Sequence, residues 1–442
     1  MAKGNRNEQF VGNVVSSIKT MLEQLPIVNV GCSIYRVPKL LREMNNTALI
    51  PQVISIGPFH HRSREDLIST EQYKLQGLVN FQLRMTKNMN SLEFLVETVQ
   101  NWVNEARNYY AEPINMNDED FVKMLLVDGC FIVGLLILNY GQYYPNAFIG
   151  IEHNVDFQFY KRLLHIGADL VKLENQIPFF VLRCLFNLIK QKDPFQPVPF
   201  DSLTTVFFHY GIVNNYYLSN PLSKKCPKHF IDFLSFFFIH TIPSKDNSNK
   251  TRSIIPPLIT ELHEAGVTIK KAENAECVMN MSFENGVFEM PPILIDDYFE
   301  TMMRNLIAFE HFYVGNDNKC IQYMSLLEHL ICTEKDVSLL VKAGIIVNKI
   351  GGSNIEVSEL FNNLGKFVTV PNCCHFNHIN KPLREHCNRR WNKAIATLKH
   401  NYFNTPWTIV SFLGAILLLV LTILQTIFSS ISAFPSKSNL SE

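Results

Sequence analysis

The stretch from Trp407 to Phe428 (WTIVSFLGAILLLVLTILQTIF) holds 22 residues and no charged side chain. A helix of this length extends about 33 Å, which exceeds the roughly 30 Å hydrocarbon core of a bilayer. The pattern therefore predicts a transmembrane helix over 407–428, with membrane-anchor ends at Trp407 and Phe428 and a short tail over 429–442. A buried core helix is the alternative interpretation.

The basic residues around this stretch predict its orientation. Four of them precede it within about 20 residues, and one follows it: Arg389, Arg390, Lys393 and Lys399 before, Lys437 after. Because cytoplasmic flanks carry the excess of Lys and Arg, the bias predicts a single-pass protein with its N-terminal domain in the cytoplasm. The choice between plasma membrane and endomembrane stays open.

The N-terminal segment, residues 1–30, lacks the apolar core of a signal peptide. It shows a weak helical stripe of apolar residues instead: Phe10, Val14, Ile18, Met21, Leu22 and Leu25. We therefore expect the chain to be made in the cytosol and inserted by its tail.

Composition argues against a nucleic-acid partner, because 40 basic residues balance 40 acidic ones and no basic excess remains. Ten cysteines are scattered without a Cys-x-x-Cys pair. In a chain of this length they are expected to be reduced thiols of a cytosolic domain.

The fold class expected for residues 31–403 is mainly α, a large helical domain with a small β-hairpin or sheet insertion. Residues 91–112 carry apolar side chains at helical spacing, and Pro38 and Pro178 suit the starts of two further helices. Asn285-Gly286, between two alternating runs in residues 277–290, predicts a hairpin with a type I′ turn.

Three more segments bear on the organisation of the domain. Residues 157–173 and the strongly aromatic residues 230–240 are expected to be helices, the second in the core. The apolar run Gly129–Leu138 has only ten residues, which suits a buried core helix better than a second span. Residues 244–252 are polar and form either a linker between two lobes or, as we favour, a long surface loop.

The common catalytic signatures are absent from the sequence, including nucleophile-elbow, zinc-protease, Walker A and dinucleotide-binding motifs. No catalytic, cofactor-binding or metal site is therefore assigned. One group has zinc-binding residue types but irregular spacing, so ordinary thiols and surface histidines are preferred: Cys373, Cys374, His375, His378, His386 and Cys387.

Two polar groups could line a pocket. His60 and His61 follow Gly57-Pro58-Phe59 and could form a ligand or proton-transfer site, or simply bond to backbone and water. Glu174-Asn175-Gln176 interrupts an apolar run, and these side chains are expected to satisfy free backbone groups between two helices.

The residues before the predicted span suit the membrane surface. One face of 383–403 is apolar, basic residues fill much of the rest, and no acidic residue occurs from His386 to Ser441. The pattern predicts a helix at an anionic leaflet, with packing on the domain as the alternative.

Six segments together resemble the plant "domain of unknown function 247" family over nearly the whole chain. They are Ile34–His61, Met124–Ile132, Asp169–Leu182, Glu261–Lys270, Gly286–Glu310 and Arg390–Thr426. Gly134, where an acidic residue is expected, and His311, where glutamine is common, depart from the pattern. The resemblance implies a helical plant protein with a C-terminal membrane anchor and no assigned activity; some relatives are linked to self-incompatibility in grasses.

Two functions fit these observations. The favoured one is a membrane-anchored interaction or recognition protein, with lipid bound by the C-terminal helix and protein partners that the sequence does not identify. The alternative is a membrane-bound enzyme of unrecognised type, with His60, Glu174 or Asp128 beside a pocket. It requires that these residues meet at a pocket rather than being far apart or fully packed.

Overall fold

Helices dominate the part of the chain that the structure describes, as predicted. The computed structural model describes residues 2–23, 31–85, 91–144, 147, 165–189, 198–212, 226–239, 253–273, 275, 278–312, 318–366, 368, 375–389 and 406–433. The described helices of the first half are α1 (Ala2–Glu23), α2 (Lys39–Met44), α3 (Glu65–Ile68), α4 (Glu71–Leu83), α5 (Leu92–Gln100), α6 (Val103–Arg107), α7 (Asp118–Tyr143), α8 (Phe179–Asn187) and α9 (Phe200–Ile212).

The second half mixes helices with short strands. In chain order these are α10 (Phe230–Ile239), α11 (Ile259–Glu264), β1 (Thr268–Lys271), β2 (Ser282–Glu284), β3 (Val287–Met290), β4 (Ile293–Ile295), α12 (Phe299–Phe312), α13 (Lys319–Leu330), α14 (Glu334–Lys342), β5 (Ile346–Asn348), α15 (Asn354–Leu364), α16 (Asn377–Asn388) and α17 (Pro406–Ala433).

Helix α7 is the core of the first half. The Asn117 side chain caps its N-terminus by accepting a hydrogen bond from Asp120 N at 2.7 Å, and the first turn is acidic. Every residue from Gly129 to Ile137 is buried, so the apolar run lies in a core helix as predicted. An all-round apolar helix suits a position surrounded by protein, here by α4, α5, α6, α8 and α9.

The contact between α4 and α7 depends on Gly77. A Cβ atom at Gly77 would lie 3.0 Å from the Cα atom of Phe131, so only glycine lets the two backbones approach this closely. The Lys74 side chain, one turn earlier, is fully buried between the helices.

In the second half, α10 packs on α12 and α13, and α14 packs on α11 and α15. Asp336 links two of these helices. It closes a capping box with Thr333 at the start of α14, and its Oδ1 accepts a hydrogen bond from Thr260 N of α11 at 2.8 Å.

The predicted hairpin is present. β2 and β3 are antiparallel, and Asn285 and Gly286 connect them with φ of 51° and 77°. These positive values are those of a type I′ turn. Two parallel pairings, β1 with β3 and β4 with β5, were not predicted, because partners far apart in sequence leave no local signal.

Some boundaries differ from expectation. Residues 91–112 form two helices rather than one, because the Asn101 side chain donates to Glu97 O at 3.0 Å and competes with the helical backbone bond. The helices expected after Pro38 and Pro178 and over 230–240 are present as α2, α8 and α10. The segment 244–252 lies outside the described residues.

Candidate functional site

Helix α17 contains the whole predicted span, 407–428, and extends it at both ends. Each described side chain between Val410 and Ser430 is exposed, and Phe428 is 68% exposed. Two described helices, α7 and α17, are long and apolar enough to cross a membrane. They differ in their surroundings, because α7 is mostly enclosed by protein and α17 is not.

The other feature that stands out is a buried cluster of charged and amide side chains, which we call the polar junction. It comprises Asp128, Asp169, Lys172, Glu174, Asn175 and Gln176, together with Lys74 and the backbone of residues 47–60. Residues 51–62 form neither helix nor strand, yet Ile54, Ser55 and Ile56 are buried. Their backbone groups therefore need partners from elsewhere.

Asp169 supplies most of these partners. Its carboxylate accepts hydrogen bonds from the backbone N–H groups of Gln52 at 2.9 Å, Val53 at 2.6 Å and Ile54 at 2.8 Å. The Lys172 ammonium lies 2.9 Å from the same carboxylate and donates to Ile50 O at 2.6 Å. Burial lowers the pKa of Lys172 despite the raising effect of Asp169.

Glu174 fixes the chain leading into α2. It accepts hydrogen bonds from Val37 N at 2.7 Å and from the Arg42 guanidinium, and its Oε2 lies 2.9 Å from Nε2 of His60. Burial raises the pKa of this carboxyl, but the nearby His60, the hydrogen bond from Val37 N and the charge of Arg42 outweigh burial and leave the pKa below its usual value.

Asn175 and Gln176 bond to free backbone groups, as expected. Asn175 accepts from Ile56 N at 2.6 Å, and Gln176 donates to the carbonyl oxygens of Leu170 at 2.6 Å and Lys172 at 2.8 Å. Gln176 also accepts from Phe230 N at the start of α10, at 3.0 Å. The side-chain amides of Asn175 and Gln176 therefore bond to backbone groups a few residues away and to backbone groups of segments distant in sequence.

Asp128 of α7 completes the junction. It accepts from Gly57 N at 2.8 Å and pairs at 2.8 Å with the ammonium of Lys74, which also contacts Glu71 at 2.6 Å. Burial raises the pKa of Asp128 although Lys74 opposes this. Burial lowers the pKa of Lys74, but Asp128 and Glu71 outweigh it and the pKa is raised.

Gly57 allows the 51–62 segment to approach the backbone of Gln176 closely. Its φ of 74° lies in the left-handed region, and a Cβ atom there would overlap the carbonyl oxygen of Gln176. Both facts require glycine at this turn.

The histidines of the sequence-based hypothesis lie at this junction in different roles. His60 is buried against Glu174, whereas His61 is half-buried, and burial lowers the pKa of His61 despite the charge of Asp128. Glu174 and Asp128 are enclosed, and their oxygens hold backbone and cationic groups. A carboxylate engaged in this way is poorly placed to transfer protons to a substrate, so the geometry of Glu174 and Asp128 does not favour the enzyme hypothesis.

The residues of zinc-binding type between Cys373 and Cys387 are only partly described by the structure. Cys373 and Cys374 lie outside the described residues. Among the described residues no group of three or more His, Cys, Asp or Glu side chains could hold a metal ion. His386 instead packs edge-on against Phe283, with ring centroids 5.6 Å apart. Most of the predicted interfacial helix, residues 390–403, also lies outside the described part of the chain.

Sequence reasoning missed Asp169, Lys172, Lys74, Asn305 and His229. Asn305 of α12 accepts from Leu173 N at 2.9 Å and donates to Ala48 O at 2.8 Å. Polar residues within apolar runs are the sequence signal that could have identified them.

His229 attaches the N-terminal end of the domain to α10. Its Nε2 donates to Ser33 O at 3.0 Å, and its Nδ1 accepts from Asp232 N at 3.3 Å, so the ring is neutral. Burial lowers the pKa of His229 to about 3. The ring also packs edge-on against Phe309.

The fold and the junction define a class of mainly helical protein with a C-terminal helix that is a candidate membrane span. A profile of DUF247, described as "Plant protein of unknown function", matches residues 34–421. The chain belongs to this family. The structure brings together four of the six segments that carried the resemblance, since Asp128, residues 169–176 and Asn305 all bind the 34–61 segment.

Two curated relatives from Arabidopsis thaliana are similar over most of their lengths. "UPF0481 protein At3g47200" is 26% identical over 92% of this chain and 88% of its own length. "Putative UPF0481 protein At3g02645" is 25% identical over 96% of each. No solved structure matches the chain significantly.

We predict that Asp169→Asn destabilises the protein by about 3–5 kcal/mol, because it leaves the Lys172 ammonium buried without its counter-charge. Asp118→Asn is the matched control: Asp118 pairs with Arg107 at a similar distance of 2.8 Å but is exposed. That change is expected to cost less than about 1 kcal/mol. Urea unfolding of both variants measures the difference, and equal losses would contradict the role given to the junction.

A second prediction concerns pH. The unfolded chain protonates His229 near pH 6.5 and the folded chain only near pH 3, so acid favours unfolding between these values. Between pH 7 and pH 5 this contribution is about 2 kcal/mol. From pH 7 to pH 5, the unfolding free energy of His229→Gln should therefore fall by about 2 kcal/mol less than that of the parent chain.

The control for this prediction is His263→Gln, since His263 is exposed. Its unfolding free energy should follow the parent's pH dependence. If His229→Gln also follows the parent, a neutral buried His229 is ruled out.

Proposed function

We propose that this chain is a membrane-anchored interaction or recognition protein. Helix α17 crosses the bilayer, residues 31–403 form a cytoplasmic helical domain that binds other proteins, residues 1–30 precede that domain, and residues 429–442 lie on the far side. The carrying observation is the exposure of an uncharged apolar surface around the whole circumference of α17. Lipid covers such a surface favourably, whereas water does not.

The orientation is supported by the four basic residues before the span against one after it. Membrane lipid around α17 is thus the first proposed partner. The near-neutral composition gives no support for nucleic acid as a second partner.

Protein binding is supported by the outward face of α4. Leu75, Val79 and Leu83 recur at four-residue spacing and are 52%, 51% and 79% exposed. Between Gln72 and Leu83 the only charged residue is Lys74, which points inward to Asp128. The surface is therefore uncharged, and it fits a partner protein with an apolar, uncharged face.

Anchoring is tested by Leu417→Arg combined with Leu421→Arg. Each arginine at the centre of a span adds about 2.5–3.5 kcal/mol to insertion, so the double variant should be extracted from membranes by alkaline carbonate. Ser429→Arg with Ser430→Arg, near the end of α17, should remain in the membrane. Release of the parent chain itself would overturn the anchor.

Orientation is read in the same preparation by glycosylation. A tail extended beyond Glu442 and carrying a second acceptor sequon should be modified in microsomes, as it lies further from the bilayer than Asn439. Modification at Asn45, Asn249 or Asn280 instead would invert the orientation.

Protein binding is tested by proximity labelling in plant cells. The parent chain should label a small, reproducible set of proteins, and Val79→Glu with Leu83→Glu should reduce that labelling about tenfold, because two apolar anchors are lost. Gln100→Glu with Asn104→Glu adds the same charge at exposed positions elsewhere and should leave the set unchanged. If labelling is lost with both double variants, or with neither, the α4 face is excluded as the protein-binding surface.

A further inference from the structure

Helix α1 has an apolar face that no other described part of the chain covers. Its described side chains, from Gln9 to Glu23, are all exposed. The large apolar ones are Phe10, Val11, Val14, Val15, Ile18, Met21 and Leu22. At 100° per residue they fall within an arc of about 140°.

The opposite face of α1 is polar but nearly uncharged. Residues 9–23 include Lys19 and Glu23 as their only charged residues, and these cancel. The rest of that face is formed by small or amide residues: Gly12, Asn13, Ser16, Ser17 and Thr20. This one-sided pattern differs from α17, which is apolar all round and suits a span, whereas α1 suits the boundary between lipid and water.

We propose that α1 lies in the surface of the membrane that holds α17 and inserts its apolar face among the acyl chains. The inference rests on the anchoring proposed above. It gives the protein two contacts with the bilayer, one crossing it and one in its plane.

The width of the apolar arc favours lipid over a second copy of the helix. A two-helix coiled coil covers a narrow seam of two positions in seven, which would leave Phe10, Val15 and Leu22 outside the contact. A bilayer surface covers the whole arc.

The bilayer is within reach of the domain. The chain between Arg389 and Pro406 spans at most about 60 Å, and the chain between Glu23 and Gly31 at most about 28 Å. Gly31 belongs to the folded domain, where its carbonyl accepts from the Lys228 ammonium at 3.0 Å.

Over the whole of α1 the three basic residues Lys3, Arg6 and Lys19 nearly balance the two acidic residues Glu8 and Glu23. Insertion should therefore depend mainly on the apolar face. Binding of α1 should change little between zwitterionic and anionic membranes and between low and high salt. A basic surface helix would respond to both.

The test uses the full chain in nanodiscs of phosphatidylcholine with brominated acyl chains, which quench nearby tryptophan. Ile18→Trp places a tryptophan on the apolar face, and Thr20→Trp places one on the polar face. After subtraction of the parent's fluorescence, we expect quenching of the Ile18→Trp signal to be at least about twice that of Thr20→Trp. Addition of phosphatidylserine or of 0.5 M salt should leave this ratio unchanged.

Equal quenching at the two positions, or no quenching at either, would overturn the inference. A blue-shifted but unquenched Ile18→Trp signal would also overturn it and would indicate a protein contact. Failure of the anchor is separate, since release of the parent chain by alkaline carbonate reports on α17 independently of α1. The same three chains would in that case be mixed with brominated vesicles, where the comparison of Ile18→Trp with Thr20→Trp still decides the question.

Discussion

The bonds between the Asp169 carboxylate and three consecutive backbone N–H groups hold in place a buried segment that is neither helix nor strand. Gln52, Val53 and Ile54 lie in a segment without helix or strand, so no secondary structure supplies hydrogen-bond acceptors for their backbone N–H groups. An unpaired buried amide costs roughly 1–3 kcal/mol, which makes a side-chain partner necessary. The position of the residues around 50–57 follows from this requirement.

The helices around the junction are placed by the same bonds. Asp128 connects α7 to Gly57 and, through Lys74, to α4, while Glu174 holds the start of α2. Asn305 adds α12 by bonding both Ala48 and Leu173. Because each buried charge depends on its counter-charge, the network favours one arrangement of these elements over others that would bury the same apolar surface.

The sequence predicts the elements of this fold better than their connections. Proline positions identified α2 and α8, aromatic content identified α10, and Asn285-Gly286 identified the hairpin, because such signals lie within a few residues. The bonds of Asp169 cross more than 110 residues, and the pairing of β4 with β5 crosses an intervening set of helices. The residues 174–176 were predicted to satisfy backbone groups, but nothing local indicates that Asn175 serves Ile56.

Composition alone also does not separate a core helix from a membrane helix. Both α7 and α17 are long and apolar, and the difference lies in what surrounds them. Asp128 marks that difference in α7, since a carboxylate within an apolar helix requires a partner, and Lys74 supplies it from a neighbouring helix of the same domain. Helix α17 carries no charged residue between Trp407 and Phe428, and its described side chains from Val410 to Ser430 are exposed. Lipid is the surrounding that this surface fits, so the contrast between the two helices supports the proposal that α17, and not α7, crosses the membrane.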